Sequence, residues 1–121
     1  AALLAELHGH AMPKSAFSTT TSGGQEDYVS MGSIAAWNLL ESTKKLSKLL
    51  ACELIIACEA LEYADSKSPT YIELLKKLVR KVCPALTQDR STSSEIEKVA
   101  SEIYNGGWLA RIDAECGFLP R

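Results

Sequence analysis

A chain of 121 residues with 46% hydrophobic and 23% charged residues can bury one hydrophobic core without needing disulfides or a structural metal. Its net charge of −2 provides no long-range field to attract a polyanion or an anionic membrane, which argues against nucleic acid and membrane partners. The most apolar window, 46–61, carries Lys48, Glu53 and Glu59 and is too short to span a bilayer.

The N-terminus, Ala-Ala-Leu-Leu-Ala-Glu-Leu-His, has no basic n-region and meets a carboxylate at Glu6, so it does not read as a signal peptide. Without an initiator Met it reads as a processed or excised piece. Cys52, Cys58, Cys83 and Cys116 show no C-x-x-C spacing, and the first two lie about 120° apart on one helix. Reduced, mostly buried thiols in a cytoplasmic protein are expected.

In chain order, residues 1–9 read as a helix apolar at Leu3, Leu4 and Leu7, stopping near Gly9 ahead of Met12-Pro13. The following stretch to Gly24 is rich in Ser, Thr and Gly and has no apolar period, so residues 10–27 read as one long loop of the active-site type. From 28 to 65 there is no proline and only Gly32 among the glycines, which predicts a core helix of about 37 residues and about 55 Å. Such a helix exceeds the diameter of about 35 Å expected for a single domain of this size. Its segment from Leu49 to Leu61 is apolar on nearly every side, so other subunits are expected to cover much of it.

Shorter helices are expected within 69–121. Ser68 as N-cap with Pro69 at the first helical position opens one that runs through Ile72, Leu75, Leu78, Val79 and Val82 to Cys83-Pro84. Ser94 and Glu97 form a capping-box pattern that opens the next, ending at Gly106-Gly107. The remaining tail from Trp108 leaves room for one short turn. With no strand alternation and no repeat, the predicted class is all-α: a long central helix in a helical bundle with shorter flanking helices, in one domain.

Few residues offer chemistry. His8 and His10 would point about 200° apart on a helix and have no further ligand nearby, so no metal site is expected. The Ser/Thr run 19–22 lacks a base, and the glycines form no phosphate-binding pattern. Lys44, Lys45 and Lys48, and Lys76, Lys77, Arg80 and Lys81, have no interleaved aromatics and read as solvated helix faces. Gln25-Glu26-Asp27 remains. Acidic residues complement the positive end of a helix, and Asp27 reads as its N-cap, but capping needs only one carboxylate. A second carboxylate on a loop beside a helix start can also meet a ligand, so for Glu26 both uses stay open.

The segment Gln25-Glu26-Asp27-Tyr28-Val29-Ser30-Met31-Gly32 resembles the Q-E-D-H-V-S-M-G segment of histidine ammonia-lyases, in the aromatic amino acid lyase family. Upstream, Met12-Pro13-Lys14-Ser15 and Thr21-Ser22 resemble the family's H-P-A-S turn and T-S-A-N approach. Downstream, the stretch from Ala51 to Leu61 is similar to A-I-E-L-L-A-A-A-Q-A-L, and Asp89-Arg90 with Ser94-Glu95-Ile96-Glu97 to D-R-P-L-S-P-D-I-E. Tyr28 stands where many relatives have histidine, and Gly24 replaces a commoner asparagine.

The resemblance implies the C-terminal portion of a larger, mainly helical homotetramer that converts L-histidine to urocanate and ammonia. The electrophile implied is 4-methylidene-imidazol-5-one (MIO), formed from an Ala-Ser-Gly that this chain lacks, so the chain alone is expected to be inactive. By position Glu26 would be catalytic and substrate-binding, Gln25 would support substrate binding, and Asp27 would cap the helix. The implied partners are the amino-acid substrate, the N-terminal remainder of the lyase and further copies of the chain. The alternatives are a lyase or aminomutase for another aromatic amino acid, and a non-catalytic helical oligomerisation module.

Overall fold

The computed structural model describes residues 1–65 and 67–117. The protein is all-α: α1 (Ala2–His10), α2 (Gly32–Ala60), α3 (Thr70–Val82), α4 (Ser93–Asn105) and α5 (Gly107–Cys116), with 3-10 turns at Lys14–Phe17 and Ser22–Gly24. Among the described residues the only strand-like pairing is an isolated bridge between Thr21 and Glu26. Where the sequence reads as one domain, the contacts divide the chain into two compact units, 1–46 and 47–121, with α2 running through both.

The first unit holds α1, the loop and the N-terminal half of α2. Lys45 pairs with Glu6, and the His10 ring lies 3.1 Å from Ser42 Oγ. That hydroxyl donates to Asn38 O at 2.7 Å, so its lone pair faces His10 and the ring donates through Nδ1–H.

In the second unit α2 buries a stripe of Ser47, Ala51, Ile55 and Cys58, spaced at helical intervals, against Val79 and Cys83 from α3 and its end and Val99 and Ala100 of α4. Leu54, Leu75, Ile96, Ile103 and Trp108 close around this core. Within the chain, then, α2 is covered on one stripe rather than all round: Ile56 is 68% exposed. Cys58 and Cys83 are buried free thiols whose pKa is raised by burial, which makes them poor nucleophiles.

Several element ends differ from the sequence expectation, each for an identifiable reason. The central helix has 29 residues rather than about 37, beginning at Gly32 and ending at Ala60. At its C-terminal end, Glu62 N–H and Tyr63 N–H donate to carbonyls three residues back, which tightens the chain out of the helix. Carboxylates there are drawn to α3: Arg80 reaches Glu59 at 2.9 Å and Glu62 at 3.0 Å, while Lys76 reaches Glu62 at 3.1 Å. Pro69 itself, not Ser68, occupies the N-cap position of α3 and has no side-chain cap bond. The Ser94–Glu97 capping box does not form: Thr92 is the N-cap of α4, and Glu97 pairs with Lys48 at 2.7 Å. The tail forms a full ten-residue α5, because Gly106 at φ 72° ends α4 in a left-handed cap and the chain immediately restarts, burying Ile112. Lys44, Lys45, Lys48, Lys76 and Arg80, read as solvated, are all in ion pairs.

Two consequences can be measured on the chain itself. Ile55→Ala should lower the unfolding free energy by about 2–5 kcal/mol in a urea titration, whereas Ile56→Ala should change it by no more than about 0.5 kcal/mol. Hydrogen bonds from Lys76 and then Arg80 hold the Glu62 carboxyl below the usual carboxylate range. The folded-state value is the lower one, so its stabilisation is complete above the ordinary glutamate pKa of about 4.3 and is lost as pH falls through the folded-state value. Glu62→Gln should flatten that acid limb, and a stability–pH curve that keeps its slope below about pH 4.3 would contradict the assignment.

Candidate functional site

The loop between α1 and α2 is held by its own polar groups. Thr21 N–H donates to Glu26 O at 2.8 Å, and Glu26 N–H donates back to Thr21 O at 3.3 Å. Between them Ser22, Gly23 and Gly24 all take positive φ, of 54°, 65° and 88°. Two of these three residues are glycine, which bears this conformation without strain. Gln25 ends the turn, its N–H donating to Ser22 O at 3.3 Å. Further on, the Val29 N–H donates to Ser18 Oγ at 2.9 Å.

Helix α2 begins only beyond these bonds. Gln25–Ser30 lie outside the helix, and the N–H groups of Gln25, Glu26 and Val29 are satisfied within the loop. The first helical bond is Ala35 N–H to Met31 O at 3.1 Å, and the Gly32 N–H is met by Ser30 Oγ at 3.3 Å. Asp27 therefore lies upstream of the first turn and does not cap the helix, contrary to the sequence expectation; Ser30 serves the helix end instead.

Glu26 is exposed, and Thr21 Oγ1 donates to its Oε2 at 3.2 Å. The turn thus fixes both the backbone and one carboxylate oxygen of Glu26. Gln25 is exposed beside it, as is Tyr28. The structure brings Gln25 and Glu26 together on one turn and leaves Asp27 on the connecting segment. Ser18 and Thr21, which hold the turn, are the residues sequence reasoning missed. Their signal was a Ser/Thr-rich loop followed by residues whose amides needed acceptors. His8 and His10 assemble no metal site, and no group of metal-ligating residues occurs among the described residues.

The sequence profile of the aromatic amino acid lyases matches residues 1–87. The chain belongs to the aromatic amino acid lyase family. A histidine ammonia-lyase of Natranaerobius thermophilus is 36% identical over 120 residues, covering 98% of this chain and 24% of that protein. Among solved structures, the histidine ammonia-lyase of Trypanosoma cruzi aligns with a TM-score of 0.84 at 29% identity, over 93% of this chain and 22% of its own. The tyrosine aminomutase of Streptomyces globisporus aligns with a TM-score of 0.85 at 32% identity, over 98% and 23%. The chain spans about a quarter of the length of the relatives it matches.

The residues of this chain do not fit the MIO precursor. The tripeptide nearest to Ala-Ser-Gly, Thr21-Ser22-Gly23, is the turn just described. The Thr21 carbonyl accepts from Gly24 N–H at 3.1 Å as well as from Glu26 N–H, so the turn is a closed hydrogen-bonded element that presents Glu26.

If Ser18 Oγ pins the segment behind Glu26, Ser18→Ala should speed amide hydrogen exchange at Val29 by about three- to tenfold, the worth of one hydrogen bond. Exchange at Ala51, in the α2 core, should stay unchanged. Equal acceleration at both would mean global destabilisation instead.

Proposed function

We propose that this chain is the C-terminal part of an ammonia-lyase acting on L-histidine, releasing ammonia to leave urocanate, with Glu26 as the residue that meets the substrate ring. The observation that carries the reading is the presentation of Glu26. Its carboxylate is exposed at the end of a closed turn, is not used as a helix cap, and has one oxygen held by Thr21. The second oxygen, Oε1, can accept an imidazole N–H. A carboxylate in that role also stabilises positive charge on the ring, more strongly once water is excluded. Gln25 supports the same edge of the site, and Asp27 belongs to the connecting backbone.

The electrophile of such a reaction, MIO in the parent protein, activates the amino acid for loss of ammonia. It belongs to a part of the parent outside these residues, which is why the isolated chain is expected to be inactive. The exposed apolar side of α2, including Ile56, suits coverage by the remainder of the lyase and by further copies in a tetramer. No described helix is long and apolar enough to cross a membrane, and a cytoplasmic enzyme of histidine catabolism fits this reading.

The likeness to a tyrosine aminomutase at 32% identity favours one second reading, an aminomutase or lyase for another aromatic amino acid. Glu26 weighs against it, because a carboxylate stabilises the positive charge that an imidazole can carry and a phenyl or phenol ring cannot. In the full-length parent, Glu26→Gln should cut urocanate formation by about 100-fold or more while the oligomer and its melting temperature are retained. Undiminished turnover would sink the role of Glu26, and ammonia or a β-amino acid formed from L-tyrosine in preference to L-histidine would establish the second reading.

A further inference from the structure

Tyr28 has no part in the site as built so far. It is 64% exposed and stands two residues beyond Glu26. Along this segment exposure alternates: Tyr28 and Ser30 are exposed, Val29 and Met31 half-buried. That is the pattern of a chain whose successive side chains point to opposite sides. The Ser18 bond to the Val29 N–H fixes the middle of the segment, and Val29 is the inward residue. Tyr28 and Ser30 thereby form the outward side, and Glu26, two residues before Tyr28, is exposed as well. One exposed aromatic ring is ordinary on a protein surface. What distinguishes this one is its place next to a carboxylate that the turn holds ready for a ligand.

A ring that donates an N–H to a carboxylate does so in its own plane, which leaves both of its faces free. If that ring shares the positive charge that the carboxylate stabilises, an aromatic face is the complementary neighbour: the π-cloud attracts the charge, and the planar surface excludes water from it. We infer that Tyr28 is a specificity-determining residue, whose ring packs on the imidazole held by Glu26 and favours it through cation–π attraction. The inference rests on the reading of Glu26 given above.

The test is steady-state kinetics with L-histidine on the full-length parent carrying changes at Tyr28. Tyr28→Phe keeps the aromatic face and should leave KM and kcat within about twofold of the unmodified enzyme. Tyr28→Ala should raise KM about tenfold with kcat within about threefold, as expected for lost binding common to ground and transition states. Tyr28→Leu retains apolar bulk without a π-face and should follow Tyr28→Ala. Unchanged KM in Tyr28→Ala overturns the inference, as does a loss in Tyr28→Phe equal to that in Tyr28→Ala. Glu26→Gln assayed alongside separates the two levels. Inactive Glu26→Gln with a normal Tyr28→Ala removes only the role of Tyr28, whereas fully active Glu26→Gln removes the site on which both residues depend.

Discussion

The paired hydrogen bonds between Thr21 and Glu26 are the constraint on which the candidate site depends. A backbone N–H can serve one ladder at a time, and here those of Gln25, Glu26 and Val29 are committed to Ser22, Thr21 and Ser18. The long helix starts at Gly32, beyond this bonded loop, and not at the acidic residues. Had it started at Asp27, both carboxylates would lie at the positive end of the helix, partly satisfied by its unpaired amides. A carboxylate used as a cap is a weaker acceptor for anything else. By closing the turn through its own backbone, the loop separates two uses that compete for the same functional group.

The second unit shows the same rule at work at the other end of α2. Glu59 accepts from Arg80 at 2.9 Å and from the Leu86 N–H at 3.3 Å, so one carboxylate serves both a side chain of α3 and the backbone of the turn that follows it. Arg90 then bridges Pro84 O at 2.8 Å and Glu95 at 3.0 Å, continuing the polar chain to α4. Most of these groups are only part-buried, so the ion pairs contribute modestly to stability. Their larger effect is geometric. They set where the helices end, while Ala51, Ile55, Cys58, Val79 and Val99 supply the burial.

This division explains what was legible in the sequence. Helix existence follows from local apolar spacing, and α1 to α4 were readable because Leu3 and Leu7, Ala51 and Ile55, Leu75 and Val79, and Ile96 and Val99 lie at helical intervals. Helix ends depend on partners distant in sequence, which local pattern does not contain: Ser18 for Val29, Lys48 for Glu97, Arg80 for Glu62. The capping-box pattern at Ser94 failed for that reason, its glutamate being drawn to a lysine 49 positions away. α5, ten residues long and opening on Gly107, was hidden behind a glycine pair that marks a helix end more often than a restart. Of the site, Glu26 and Gln25 could be singled out from the Q-E-D segment, but not the hydroxyls that hold them.

Exposure of Glu26 has a further consequence for how an active site containing it would work. Opposite charges about 4 Å apart are worth about 1 kcal/mol in bulk water and about 4 kcal/mol at the effective dielectric of a protein surface. An exposed carboxylate is therefore a weak electrostatic device until something covers it. What this chain supplies is the part that does not depend on cover: a turn closed by backbone bonds, a hydroxyl on one carboxylate oxygen and an exposed aromatic ring two residues further on. On the proposed reading, the remaining three quarters of the parent would add the dielectric change along with the electrophile. Pre-organisation and desolvation would then come from different stretches of the polypeptide, and the carboxylate would become a strong partner for a charged ring only when the two were brought together.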